Sequence, residues 1–224
     1  TGSSKLCLSC HDGTVALGMV RSRKEKVTFA GKSDRIPQGA ANLGTDLQDD
    51  HPISFAYDRK LAGVSAELAD PVQLSANTPL ENGDLQCTSC HNVHDNQYGS
   101  FLAMDNRASA LCVECHRMTS WEEAVHRTSD TTWNGMGKDP WPHSDKNSVQ
   151  ANGCENCHRP HAAGSRQRLL TFPNEEDNCL ICHNGKVSVL DIEATTRKSS
   201  AHNVMATQGV HDPVEKLVNP PRHV

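Results

Sequence analysis

Apolar positions along the chain come in short, broken runs, and neither a helical nor a strand period is sustained for long. A short helix is predicted over residues 107–116, where Ala108, Leu111 and Cys115 share a face. A second is predicted from Ser120, whose side chain and Glu123 form a capping box over residues 121–127. Further helical turns are expected before Cys179 and after Val189. Residues 14–85 are rich in Gly, Asp, Asn and Pro, with β-prone runs at Val27-Thr28-Phe29 and Ile53-Ser54-Phe55. Loops with one hairpin are expected there. The Pro-rich end, 219–224, should be extended, and no apolar run approaches the ~20 residues of a membrane helix. The expected fold class is mostly irregular, with short α-helices and little β.

Composition sharpens this picture. Of 224 residues only 4% are aromatic and 36% hydrophobic, and mean hydropathy is −0.60. That is thin material for an ordinary core, because large apolar side chains supply most buried area. A net charge of −5 with 22% charged residues is nonetheless not the composition of a disordered chain. Nothing in this balance recommends nucleic acid as a partner.

All ten cysteines fall in five Cys-x-x-Cys-His motifs: Cys7, Cys10, His11; Cys87, Cys90, His91; Cys112, Cys115, His116; Cys154, Cys157, His158; and Cys179, Cys182, His183. Two thiols that add to haem vinyl groups, followed by an imidazole for the iron, are the attachment pattern of c-type haem. Zinc sites also use Cys-x-x-Cys, but nothing in them requires a histidine after every second cysteine. Given 13 histidines in 224 residues, five such coincidences have a chance of roughly one in a million. Five covalently attached haem c groups are expected, with the chain wrapped around a stacked row of them. Their propionates would make the holoprotein more acidic than the sequence pI of 6.2. Haem c is attached outside the cytoplasm, and the opening Thr1-Gly-Ser-Ser reads as a mature start from which a signal peptide has gone.

The motifs are unevenly spaced. Residues 87–116 and 154–183 both fit C-x2-C-H-x2-H-x17-C-x2-C-H, offset by 67 positions without a gap, an internal duplication of a two-haem unit. The first motif stands alone and looks like the second half of such a unit. The expected organisation is 1–86 with one haem and a long haem-poor loop region, 87–153 as the first two-haem repeat, and 154–224 as the second repeat with a tail.

Through these two units and the segment Asp49-Asp50-His51-Pro52-Ile53-Ser54-Phe55, the chain resembles the doubled-CXXCH multihaem cytochromes. They include soluble periplasmic carriers and the filament-forming cytochrome nanowires of metal-reducing microbes. The four-haem nanowire members share the two pairs and long loops, and the additional motif here departs from that pattern. The resemblance implies a head-to-tail homopolymer on the cell surface, passing electrons to redox proteins or to acceptors such as metal oxides. The alternative is a monomeric periplasmic shuttle or conduit subunit.

The second axial ligand separates a carrier, where that position is filled, from a catalyst, where it is open. Eight histidines remain for five positions, and no CxxCK occurs, so bis-His ligation and no enzymatic activity are expected. The candidates are His51, His94, His126, His161 and His202, with His143 and His211 evenly balanced and His223 read as a tail residue. By the resemblance, His94 serves the haem at Cys112/Cys115 and His161 the haem at Cys179/Cys182. The five methionines and Trp121, Trp133 and Trp141 read as packing. A small anion reductase would need an open iron and basic pocket residues. Arg21, Arg23, Lys24 and Lys26 form the basic cluster available for it, equally well read as a solvated face.

Overall fold

The structure, a computed structural model, describes residues 2–18, 21–22, 24–27, 34–65 and 67–200. Most of that chain is loop. Short helices interrupt it at α1 (Ser4–His11), α2 (Arg59–Val64), α3 (Ala110–Cys115), α4 (Val125–Thr128), α5 (Val149–Asn152), α6 (Glu175–Leu180) and α7 (Ile192–Thr196). Tighter 3-10 turns stand at Pro71–Gln73, Cys87–Ser89, Arg107–Ser109, Trp121–Glu123 and Gly153–Asn156. A single two-stranded antiparallel sheet is formed among the described residues, β1 (Phe55–Ala56) on β2 (Asp84–Leu85), pairing Phe55 with Leu85. This is not a local hairpin. It ties the β-prone run at 53–55 to the residues that lead directly into Cys87, so the long loop is anchored where the first repeat begins. The run at 27–29 falls largely outside the described residues, as does the Pro-rich end.

Two predicted helices are interrupted. The first splits because Ala108 and Ser109 are left-handed, with φ of 56° and 59°, and α3 starts only at Ala110. The reason is tertiary: Ser109 is fully buried, and its hydroxyl donates to the Asn152 carbonyl (3.0 Å) and accepts from the Cys154 amide (2.7 Å). The second loses its capping box. Ser120 is left-handed (φ 61°) with no side-chain cap, and an extended Ala124 divides the turn at 121–123 from α4. The turns near Cys179 and Val189 do form, as α6 and α7. Asp191 caps α7 by accepting from the Ala194 amide at 2.7 Å.

The interior is small and unusually polar. Trp141, Val149 and Val187 form the main buried apolar cluster, with Trp133 and Cys182 against it. Around it, Trp141 Nε1 donates to Asn156 Oδ1 (2.9 Å), while Asn156 Nδ2 donates to the carbonyls of Val149 and Gly153. Gln86, Ser89, Ser109, Asn152 and Asn178 are also buried, and all take part in hydrogen bonds. Meanwhile Leu6, Val64, Val125, Val189 and Leu190 stay exposed. Directional bonds to backbone groups do the positioning that apolar packing does in most domains.

The duplication is visible in the backbone. In the first unit the Asn92 amide donates to Phe101 and the Ala103 amide to Cys90; in the second, Arg159 donates to Leu169 and Thr171 to Cys157. Each closes a strap, His91 against Leu102 and His158 against Leu170. The straps are offset by one residue more than the motifs, so the second unit carries an extra residue in its return loop and recovers it before Cys179.

The two units meet where Gly153, at φ +55°, lies against Ala108 and Ser109. A Cβ there would sit 2.6 Å from Ser109 Oγ and 2.9 Å from the Ala108 carbonyl carbon. Gly153→Ala should therefore lower stability by roughly 2–4 kcal/mol. Gly99→Ala, also left-handed but with nothing within 4 Å, should lose only roughly 1 kcal/mol. Denaturant unfolding of the haem-loaded proteins, followed by tryptophan fluorescence, compares the two; equal losses would remove the clash from this junction.

Candidate functional site

Each of the last four motifs is one helical turn. The amides of His91, His116, His158 and His183 donate to the carbonyls of Cys87, Cys112, Cys154 and Cys179 at 2.9–3.0 Å. The first motif closes α1. That i to i−4 bond brings the two cysteines, three residues apart, and the imidazole to the same side of the turn. None of the ten thiols is in a disulfide. Among the described residues no three His, Cys, Asp or Glu side chains converge as a metal-binding group.

The five motifs form a row in chain order. Cys7 interacts with Cys87, Cys90 with Cys115, Cys112 with Cys154, and Cys157 with Cys179 and Cys182. His11 is an electrostatic neighbour of His91, and His116 of His158. Two kinds of junction thus alternate. Motifs one and two, and three and four, meet through a first cysteine and through both histidines; the other two junctions use the second cysteine of the earlier motif. Burial raises the thiols of Cys90 and Cys182 to about 11 and that of Cys157 to about 12. Cys154 is lowered to about 7, first by its hydrogen bond with Cys112.

The imidazoles are more telling. His51 lies opposite His116 with ring centres 6.2 Å apart, His161 opposite His91 at 6.1 Å, and His126 opposite His183 at 6.2 Å. An imidazole nitrogen lies about 1.2 Å from the ring centre and a metal–nitrogen bond is about 2.0 Å, so rings on opposite sides of one ion have centres roughly 6.4 Å apart. The three separations are close to that spacing. Burial pushes His51, His91, His116 and His183 below the usual imidazole range. They are therefore neutral at neutral pH, the form that ligates a metal.

Hydrogen bonds select the free nitrogen. Nδ1 is held by the carbonyl of Ala41 in His11 (2.7 Å), Pro52 in His51 (3.0 Å), Ser100 in His91 (3.0 Å) and Arg168 in His158 (2.7 Å). In His161 it is held by the Asp50 carboxylate at 2.9 Å. Each bond leaves Nε2 for a ligand, the arrangement that fixes tautomer and orientation in metal-bound histidine. The strained pairs Ser100-Phe101 and Arg168-Leu169, all at φ 48–57°, are what turn two of these carbonyls toward the rings. Thiol spacing, imidazole separation and open Nε2 atoms all fit covalently bound haem c.

The rings that the structure brings together differ from the pairing implied by the resemblance. His161 faces His91 rather than His183, because its segment is clasped by the long loop: His51 N donates to Pro160 O (2.8 Å) and Ala163 N to Asp49 O (3.0 Å). His116 faces His51 rather than His94. His94 is exposed, its amide bonded to Asn92 Oδ1, and no imidazole is brought opposite it among the described residues. His143 has Nε2 on the Glu155 carbonyl at 3.1 Å, the reverse of the other histidines. His202, His211 and His223 lie outside the described residues. The Nδ1 acceptors escaped sequence reading, since backbone carbonyls carry no sequence signal; only Asp50, the one side-chain acceptor among them, and Pro52 stood in the 49–55 segment that attracted notice.

Among the described residues no helix is long and apolar enough to cross a membrane. No curated protein matches the chain. Residues 77–120 and 147–188 each match the doubled CXXCH motif family, together somewhat under half of the chain. Together with the paired imidazoles and the covalent attachment that such motifs imply, these two matched stretches support a multihaem c-type cytochrome.

Proposed function

We propose that this chain is a pentahaem cytochrome that conducts electrons along a row of five bis-His haems, without catalysis of its own, as a subunit of an extracellular filament. The observation that carries the reading is the set of three imidazole pairs with centres 6.1–6.2 Å apart, each joining a motif histidine to one from a distant part of the chain. A second imidazole beside each of these motif histidines would fill the position a substrate would need, which favours electron transfer over catalysis. When bound, haem supplies a one-electron iron couple. The chain's residues would hold it: the ten thiols by covalent attachment, and the five motif imidazoles with His51, His126 and His161 as ligands. His94 and His202 are proposed for the two remaining centres, those of His11 and His158, from the same chain or from a neighbouring copy.

The unbroken row of motifs supports a conductor, since a row with each centre beside the next has two ends through which electrons enter and leave. Apolar side chains stand exposed at both ends. Leu6, 76% exposed, is beside the first motif, while Val189, Leu190 and Ile192, at 92, 67 and 43%, follow the fifth. Exposed apolar side chains there are open to contact with another protein, and a head-to-tail contact between copies that does not close yields a filament. Haem attachment outside the cytoplasm accords with export to the cell surface, and the partners are redox proteins or extracellular acceptors such as metal oxides.

Two experiments test this. His51→Ala, His126→Ala and His161→Ala should each convert one low-spin haem to high-spin in electron paramagnetic resonance, while His143→Ala leaves the spectrum unchanged. High-spin signals from His143→Ala, or none from the other three, would contradict the assignment. Electron microscopy of the haem-replete protein at low salt should show long filaments of uniform width. Discrete small particles at every concentration would leave a periplasmic shuttle or conduit subunit instead.

A further inference from the structure

The dipeptide Asp50-His51 reaches two neighbouring centres at once. The His51 ring lies against His116, while the adjacent Asp50 side chain, 5% exposed, holds His161, which lies against His91. Asp50 Oδ1 accepts from His161 Nδ1 at 2.9 Å and from the Ala162 amide at 3.3 Å. Its other oxygen, Oδ2, is buried with no hydrogen-bond partner among the described residues. The other Nδ1 atoms with acceptors, in His11, His51, His91 and His158, meet neutral backbone carbonyls. His183 Nδ1 is buried without an acceptor among the described residues.

A carboxylate on Nδ1 differs from a carbonyl in two ways. It makes the imidazole a stronger electron donor through the charge-assisted bond. It would also place a negative charge in a low-dielectric interior, with no cation bonded to it among the described residues, one imidazole away from the metal. Both effects favour the ferric ion, which carries the extra positive charge, over the ferrous ion. We infer that Asp50 is a positioning residue that makes the centre between His91 and His161 the last in the row to accept an electron. The inference rests on His161 being an axial ligand, as proposed above.

This assigns a task to the segment at 49–55 beyond supplying one ligand. The clasp through His51 N–Pro160 O and Ala163 N–Asp49 O holds the carboxylate in register with the imidazole, and β1 fastens the same segment next to Cys87. A single strap therefore sets the ligation of one centre and the electron affinity of the next.

The test is Asp50→Asn, which keeps the size and an acceptor oxygen but removes the charge, in the full haem-loaded chain. Spectroelectrochemistry with site-resolved nuclear magnetic resonance should show the His91/His161 centre becoming easier to reduce by a factor of ten or more, about 59 mV for one electron. Low-spin signals should be retained, and Asp50→Glu should return the centre toward its original position. An unshifted centre in Asp50→Asn overturns the inference. Should Asp50→Asn not load haem, the unmodified protein decides: the His91/His161 centre must be the last reduced, and any earlier place overturns the inference. His161→Ala separates the two readings, since a fully low-spin spectrum there removes the ligation itself rather than the role of Asp50.

Discussion

An imidazole can serve a metal well only if its other nitrogen is tied down, and that requirement organises much of this structure. Five described histidines have Nδ1 held at 2.7–3.0 Å by a carbonyl or a carboxylate, which leaves Nε2 free and the ring aimed. The acceptors come from loops, so the loops must be held as firmly as helices are elsewhere. Left-handed residues at 100–101 and 168–169 bend the straps until their carbonyls meet His91 and His158. The irregular backbone is the means by which the rings are oriented.

This explains how a chain with so little apolar material holds a definite shape. Buried Ser89, Ser109, Asn152 and Asn156 bond through their side chains to backbone groups beside motifs two and four. The repeats are joined through Ser109 and Gly153, and the long loop is joined to both of them through β1 and the clasp at 160–163. In the proposed holoprotein the porphyrins take the place of the missing core, and the polar network fixes where each is attached. The same logic accounts for the row: consecutive motifs lie side by side because the segments that anchor one motif also bear on the next.

The attachment motifs and the duplication were legible from spacing, as was the predominance of loop, because covalent chemistry needs specific residues at fixed offsets. Secondary structure was legible only where nothing distant intervened. The helix predicted over 107–116 breaks because Ser109 has a partner 43 residues away at Asn152. The cap at Ser120 fails because that residue is left-handed. Which imidazole faces which was hidden for the same reason. His161 belongs to the second repeat by sequence, but residues 49–51 hold it against the first, and a contact across 111 positions leaves no trace in local pattern. Asp50 could be noticed but not understood until His161 was seen beside it.

The central claim is that the facing imidazoles close on a shared iron. Near-infrared magnetic circular dichroism of the fully oxidised, haem-loaded protein addresses it most directly, because the low-spin charge-transfer band reports the chemical type of both axial ligands. The account predicts bis-imidazole bands whose intensity corresponds to at least three centres per chain, with no histidine–methionine component. Fewer than three bis-imidazole centres, or a methionine-ligated band in their place, would contradict it.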